Sequence, residues 1–135
     1  MTNLTLRVHG QRLAVTTTRS SPEPAPAFPA PLTAELNTAD STTLVLDYEQ
    51  LTRDPEGANH QGPFRVLEVV GPLDFELTGV LASVLNPLAE AEISVFTLAT
   101  FETDWILVPA ESLAAAVHAL RAAGHTVVDH AEGEH

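Results

Sequence analysis

Two short polar clusters interrupt apolar segments in the second half of the chain, and their side chains suit the recognition of a small zwitterion. The first is "GPLDFELTG" at residues 71–79, and the second is "TFETD" at residues 100–104. A helix that begins inside the first cluster would direct free backbone amides at an α-carboxylate. Asp74 or Asp104 could accept charge-assisted hydrogen bonds from the α-amino group.

Further side chains in the same clusters extend this chemistry. The hydroxyls of Thr100 and Thr103 would orient the ligand, and Glu76 or Glu102 would receive a cationic side chain. The two clusters together therefore form a candidate pocket for an amino acid.

A purely structural interpretation accounts for the same residues. Asp74 can cap a helix, Thr78 can face solvent, and Thr103 with Asp104 can close a β-turn. Gly79 is expected one turn inside the helix, where glycine costs up to ~1 kcal/mol against Ala. Its role is close approach of a ligand or partner backbone, or tight packing of helix on sheet, and the residues alone leave these alternatives open.

Other chemistries find little support in the sequence. Without Cys or Lys the chain has no disulfide, no thiolate metal site, no cysteine catalysis and no Schiff-base catalysis. It contains neither a Walker loop nor a Gly-x-Ser-x-Gly motif, and no catalytic residue is predicted. Trp105 is expected in the core or at a subunit contact.

The histidines do not form a recognisable metal motif. No pair has the helical His-x₃-His spacing and no HExxH sequence occurs, so neither a metal nor another cofactor is predicted. The histidines near the C-terminus are expected to be exposed. The six positions are His9, His60, His118, His125, His130 and His135.

The charge balance narrows the classes of partner. The 135 residues carry 18 acidic and 6 basic side chains, a formal net charge of −12. Phosphate backbones and anionic membrane surfaces need a cationic footprint, so neither nucleic acid nor membrane is an expected partner. The chain shows no signal-peptide pattern and no apolar run near the ~20 residues of a membrane helix, so a cytoplasmic location is expected.

Hydrophobic periodicity predicts a clear order of elements in the second half. A helix is predicted from an N-cap at Asp74 to about Leu88, and a second over residues 110–123 that ends at Gly124. The order is β-α-β-β-α-β, an α+β, ferredoxin-like fold with two helices on one face of a four-stranded antiparallel sheet. The strands are predicted at 64–71, 93–100, 104–108 and 125–129.

The first half is β-rich and interrupted by prolines. Residues 4–18 are predicted as a hairpin that turns at His9-Gly10-Gln11, and residues 19–31 as a proline-rich loop. A helical turn at 32–37, a strand at 42–51 and a loop at 52–62 follow.

This pattern predicts two domains and a short tail. Residues 1–62 form the N-terminal β-rich subdomain, residues 63–130 the ferredoxin-like domain, and residues 131–135 the tail. The N-terminal strands could be a degenerate copy of the second unit, or they could simply extend its sheet. A homodimer that packs sheet on sheet would also bury the second apolar face.

The segment "GPLDFELTGVLASVLNPLAEAEISVFTLATFETDWILV" resembles the ACT domain, in the branch of the animal cytosolic arginine sensors and their short bacterial relatives. The resemblance extends over about residues 64–128, and its most specific parts are "GPLDF..TG" and "T..TDWILV". It implies a regulatory fold that binds an amino-acid effector at the loop between the first strand and first helix. Arginine or another amino acid would be that effector, and a homodimer through ACT sheets or helices would complete the site.

The ligand-binding positions follow from the resemblance residue by residue. Those of the loop and helix start are Leu73, Asp74, Phe75, Glu76, Leu77, Thr78 and Gly79, and those of the hairpin are Thr100, Thr103 and Asp104. The sequence departs from the family pattern at Glu92, where a glycine usually ends the first helix. Because a left-handed Glu is costly, the helix is expected to end differently.

The leading hypothesis is therefore a non-catalytic, cytoplasmic regulatory protein that binds an amino acid between its two units or across a dimer. Its binding would convey the amino-acid level to a partner. One alternative is a structural or protein-interaction module that binds no small ligand. A more remote alternative is a small enzyme subunit that uses Asp104.

Overall fold

A computed structural model describes residues 3–18, 31–51, 60–70 and 79–129 of the chain. The strands are β1 (Thr5–Thr18), β2 (Ala34–Asn37), β3 (Thr42–Asp47), β4 (His60–Val69), β5 (Phe96–Ala99), β6 (Asp104–Pro109) and β7 (Thr126–Asp129). The helices are α1 (Tyr48–Leu51), α2 (Val80–Glu90) and α3 (Leu113–Ala122), the last preceded by a 3₁₀ turn at Ala110–Ser112. None of the helices in these ranges is long and apolar enough to cross a membrane.

The elements from β4 to β7 follow the predicted order β-α-β-β-α-β, so the α+β, ferredoxin-like fold class is confirmed. The backbone contacts divide the chain into two compact units. The first consists of Met1–Gly10 with Arg65–His135, and the second consists of Gln11–Phe64. The domain boundary between residues 62 and 63 stays a prediction, and the contacts group residues 1–10 with the C-terminal part of the chain.

The predicted hairpin at residues 4–18 is wrong, because β1 is one continuous strand. Gly10 does not adopt the positive φ that a tight turn would require. Each end of β1 pairs with a different strand. Thr5–Val8 run parallel to Thr126–Asp129, and Leu13–Thr18 run antiparallel to Thr42–Asp47.

The sheet of the first unit has the strand order β7-β1-β4-β6-β5. The predicted four-stranded antiparallel sheet is therefore incomplete, since the start of β1 lies between β4 and β7. The amide of Val70 donates to the carbonyl of Thr5 at 2.8 Å, and that of Thr126 donates to the carbonyl of Leu4 at 2.9 Å. Sequence periodicity missed this insertion because pairing partners so distant along the chain leave no local pattern.

Both helices of the first unit pack on one face of this sheet. Alternate residues of β1, β4 and β6 point toward them, as the two-residue period of a strand requires. Complete burial of such a Leu or Val contributes roughly 1.5–3 kcal/mol. The buried cluster consists of Leu6, Val8, Leu67, Val69, Val84, Leu88, Ile106, Val108, Ala116, Leu120 and Val127.

The two helices end in the same way despite different residues at the terminus. After α2, the amides of Glu92 and Ile93 donate to the carbonyls of Ala89 and Leu88, and Glu92 has φ 60°. This is the Schellman arrangement. After α3, Gly124 takes the equivalent position with φ 100°. The expectation that α2 ends differently is wrong, because Glu92 adopts the left-handed conformation at its energetic cost.

In the second unit, three strands pair in the order β2-β3-β1, all antiparallel. The helical turn predicted at 32–37 is wrong, since Ala34–Asn37 form a strand on β3. The strand predicted at 42–51 ends at Asp47, whose carboxylate accepts the Glu49 amide at 2.8 Å and starts α1. The idea that this unit is a degenerate copy of the first stays a prediction, and most of the proline-rich loop lies outside the described residues.

Candidate functional site

The β5–β6 turn contains the second predicted cluster. The Thr100 amide donates to the Thr103 carbonyl at 2.8 Å, which closes the turn. The Thr103 amide in turn donates to the Thr100 hydroxyl at 3.4 Å. The structural role foreseen for Thr103 in closing a turn is thus present, with Thr100 as its partner.

Thr103 also fixes this turn to the end of β4. Its hydroxyl is buried, with the residue 7% exposed, and donates to the Val69 carbonyl at 2.6 Å. Val69 is the last residue of β4, and residues 71–78 begin two positions later. The hairpin turn therefore lies beside the strand end from which the first predicted cluster continues. Sequence reasoning assigned Thr103 to the site but missed this bond.

Asp104 is the first residue of β6 and is half-buried, opposite Ala99 on β5. Its carboxylate takes part in none of the ion pairs observed within the described ranges. The neighbouring side chains of the turn, Phe101 and Glu102, are exposed, Phe101 by 98%. The strand start therefore carries a charged side chain that none of the described basic residues neutralises.

The first predicted cluster is described only at its last residue. Leu73, Asp74, Phe75, Glu76, Leu77 and Thr78 lie outside the described residues, so their predicted roles stay predictions.

Gly79 immediately precedes α2, with φ 77° and ψ 0°. The expectation that Gly79 lies one turn inside the helix is therefore wrong, because a left-handed residue ends the regular helix on its N-terminal side. A Cβ added there would meet no atom within 4 Å, so the backbone angle and not crowding within the described chain explains the glycine.

The first turn of α2 contains backbone donors that have no partner inside the helix. Among the described residues no side chain caps this end, and the first backbone bond within the helix runs from the Ser83 amide to the Gly79 carbonyl at 3.0 Å. The amides of Val80, Leu81 and Ala82 precede it and have no partner in a helix of this geometry. Such amides carry partial positive charge and attract an anion.

A polar cluster on the sheet face opposite the helices was not predicted. The rings of Trp105 and His9 stack with centroids 5.8 Å apart, and His9 Nε2 lies 2.9 Å from Glu68 Oε1. The Trp105 indole donates to the Thr100 hydroxyl at 3.2 Å, which joins this cluster to the turn. Trp105 is half-buried and not part of the core. The sequence could have indicated this cluster, because these side chains alternate with the core residues of their strands and therefore lie on the other face of the sheet.

The sequence analysis predicted no metal site. Within the described ranges, no group of three His, Cys, Asp or Glu side chains is arranged to hold a metal ion. The tail histidines His130 and His135 lie outside those ranges. The expectation that the histidines near the C-terminus are exposed is wrong for His125, which is only 5% exposed.

Comparison with known proteins shows what this fold and turn resemble. The family model of the ACT domain matches residues 59–122, just under half of the chain. The resemblance predicted from the sequence is thus confirmed.

The more particular likeness is to an arginine sensor. The chain is 34% identical over 59 residues to the human "Cytosolic arginine sensor for mTORC1 subunit 1". That match takes in 43% of this chain but only 18% of the human protein, so the chain spans less than a fifth of this relative's length.

Solved structures share the fold at lower sequence identity. Protein Atu0741 from Agobacterium tumefaciens superposes with a TM-score of 0.83 at 24% identity, over 96% of this chain and 95% of that one. The regulatory subunit of aspartate kinase from Thermus flavus gives a TM-score of 0.60 at 15% identity, over 90% and 97% of the two chains. At these identities the likeness concerns the fold alone.

Proposed function

We propose that this chain is a non-catalytic regulatory protein that binds a free amino acid beside the β5–β6 turn and the start of α2. The observation that carries the proposal is the 2.6 Å bond from the Thr103 hydroxyl to the Val69 carbonyl. It holds the polar turn at the strand end that leads into residues 71–78 and then α2.

The chemistry of the two sides complements a zwitterion. The uncapped amides at the start of α2 would bind the α-carboxylate, because the helix terminus adds favourable electrostatic energy of about 0.3–1 kcal/mol at an exposed site. Asp104 would accept the α-amino group, and its half-buried position strengthens that interaction relative to a fully exposed one. Residues 73–78 would complete the site.

Regulation would follow from a change in population. An effector that contacts both the turn and α2 favours the arrangement in which the two are held together. A partner that recognises this arrangement would bind more tightly when the amino acid is abundant, and the coupling is reciprocal. The human relative is by name a cytosolic arginine sensor, so arginine is the first effector to test, and a cytoplasmic location and a homodimer are part of the proposal.

Thermal unfolding in the presence of each of the twenty amino acids tests the proposal. A ligand at 100 times its Kd raises the unfolding free energy by ~2.7 kcal/mol, which is roughly a 10 °C rise in Tm for a domain of this size. We expect one or a few amino acids to produce a concentration-dependent rise. A flat panel contradicts the proposal and favours a protein-interaction module that binds no small ligand.

Matched variants locate the site. Asp104→Asn keeps the shape of the side chain but removes its charge, so we expect it to abolish most of the rise. Glu111→Gln, at an exposed acid in the 3₁₀ turn before α3, should leave the rise intact. Equal responses of the two variants would show that Asp104 does not contact the effector.

A further inference from the structure

The hydroxyl of Thr100 has each of its hydrogen-bonding positions occupied. It donates to the Thr103 carbonyl at 3.2 Å, accepts the Thr103 amide at 3.4 Å and accepts the Trp105 indole N–H at 3.2 Å. A hydroxyl offers one donor and two acceptor lone pairs, so these three bonds use its whole capacity. The side chain of Thr100 therefore joins the β5–β6 turn to the indole of Trp105.

The ring of Trp105 is held in turn by a side chain of β1. It stacks on the His9 ring with centroids 5.8 Å apart and an angle of 26° between the ring planes. His9 is fixed to β4 at two places. Its Nε2 lies 2.9 Å from Glu68 Oε1, and its backbone carbonyl accepts Arg65 Nε at 3.1 Å and Arg65 Nη2 at 2.9 Å. The indole therefore connects the turn to two inner strands of the sheet.

Trp105 and Asp104 lie on opposite faces of the sheet. Asp104 lies on the same face of β6 as Ile106 and Val108, which belong to the core beneath the helices. The carboxylate at the start of β6 is therefore on the face where α2 packs, and the indole is on the other face. Because the two residues are adjacent on one backbone, a displacement of the turn moves both side chains.

We propose that Trp105 is a positioning residue of the effector site, because its indole N–H fixes the Thr100 hydroxyl and thereby the turn that presents Asp104. This inference rests on the proposed function. It gives Thr100 a role in the shape of the turn, since a ligand could bond to that hydroxyl only by displacing one of its three partners. Effector binding at Asp104 would alter the His9–Trp105 stack on the opposite face, and a change in the stack would alter binding.

The energetic benefit of such positioning is preorganisation. A turn that is already held loses less conformational freedom when a ligand binds, so affinity rises without a new contact. The two central residues of this turn, Phe101 and Glu102, are exposed. Among the described residues, the side chains that restrain the turn are therefore those of Thr100 and Thr103 at its corners and that of Trp105.

The first test uses the full chain without any ligand. Trp105 is the only tryptophan, so a single indole N–H resonance in ¹H–¹⁵N NMR reports on it. Thr100→Val removes the acceptor and should shift this resonance and accelerate its exchange with solvent, whereas Thr100→Ser keeps the hydroxyl and should leave both close to the wild type. Thr97→Val, which removes an exposed hydroxyl from the same hairpin, is the matched control. A resonance that responds no more to Thr100→Val than to Thr97→Val overturns the proposal.

The second test measures the Kd from the rise in Tm with arginine, and with any other amino acid that raises the Tm. Trp105→Phe keeps an aromatic ring against His9 but lacks the N–H, so we expect the Kd to rise about fivefold, the worth of roughly one hydrogen bond. Thr100→Val should weaken binding at least as much, and the double variant should bind no more weakly than Thr100→Val alone, because the bond is already absent there. Thr100→Ser and Thr97→Val should keep the wild-type Kd. A purely structural role would lower the Tm and leave the Kd unchanged, and that outcome overturns the proposal.

The outcomes distinguish this inference from the proposed function. If no amino acid raises the Tm, the proposed function fails and the effector role of Trp105 fails with it. If an amino acid binds the wild type, Trp105→Phe and Thr100→Val equally well, the proposed function stands and the positioning role is overturned. Should Trp105→Phe not fold, the comparison of Thr100→Val with Thr100→Ser decides.

A final measurement tests the connection across the sheet. Saturation with an amino acid that raises the Tm should shift the indole resonance of the wild type. The same addition to Asp104→Asn should leave the resonance in place, because the contact that moves the turn is lost. A wild-type resonance that does not move at saturation overturns the connection.

Discussion

At the scale of single residues, two adjacent side chains of the second polar cluster differ in their contacts. Thr103 closes the turn and bonds to β4, whereas Asp104, the next residue, lies half-buried outside the observed ion pairs. Thr103 therefore has a structural role in the turn. The role of Asp104 in binding an effector stays a proposal.

Replacing Thr103 tests the bond on which this arrangement depends. Thr103→Val keeps the shape but leaves the buried Val69 carbonyl without its donor, so we expect the free energy of unfolding to fall by about 1–3 kcal/mol. Urea denaturation measures this change. Thr103→Ser keeps the hydroxyl and should retain most of the stability, and a Val variant as stable as the Ser variant would show that the bond contributes nothing.

At the scale of elements, the two helices end with a residue in the same left-handed conformation, which is a glycine in one helix and not in the other. Both helices end in a Schellman arrangement, with Glu92 after α2 and Gly124 after α3 in the left-handed region. The hydrogen bonds of the α2 terminus were strong enough to impose that conformation on a residue that disfavours it.

The position of Glu92 predicts a stabilising substitution. Glu92→Gly should raise the free energy of unfolding by about 1 kcal/mol, because it removes the strain of a left-handed side chain and loses less than that to the flexibility of the unfolded chain. Glu90→Gly, two residues earlier inside the helix, should lower it by up to ~1 kcal/mol. Thermal or urea unfolding compares the pair, and the same sign for both would contradict the left-handed assignment.

At the scale of the whole molecule, acidic side chains greatly outnumber basic ones. The 18 acidic side chains face 6 basic ones, and the described ranges contain few ion pairs, of which Arg12 with Glu49 at 2.8 Å is a well-exposed example. Mutual repulsion among the acids therefore opposes the compact state, and screening by salt relieves it.

This repulsion predicts a response to ionic strength. The Tm at neutral pH should rise between 10 mM and 300 mM NaCl, because the screening length falls from ~30 Å to well below 10 Å over that range. Differential scanning calorimetry measures the rise, and KCl serves as the control because a screening effect does not depend on the cation. A constant or falling Tm would mean that repulsion among the acids is not significant in the fold.

The sequence by itself determined the local features of the first unit. Strand alternation and helical spacing gave the order from β4 to β7, and Gly124 marked the end of α3, because each of these patterns arises between residues only a few positions apart. The two polar clusters were likewise visible from residue types alone.

Only the tertiary structure decided how distant segments meet. The insertion of β1 between β4 and β7, the bond from Thr103 to Val69, and the contacts of His125 with Leu4 and Ser83 join residues separated by 34 to 121 positions. Such contacts depend on which backbone groups lack a partner in the folded chain. The Ser83 carbonyl is an example, because Pro87, four residues later in α2, has no amide hydrogen to donate to it. A periodic pattern in the sequence carries no record of that, because the need arises only when the elements are packed together.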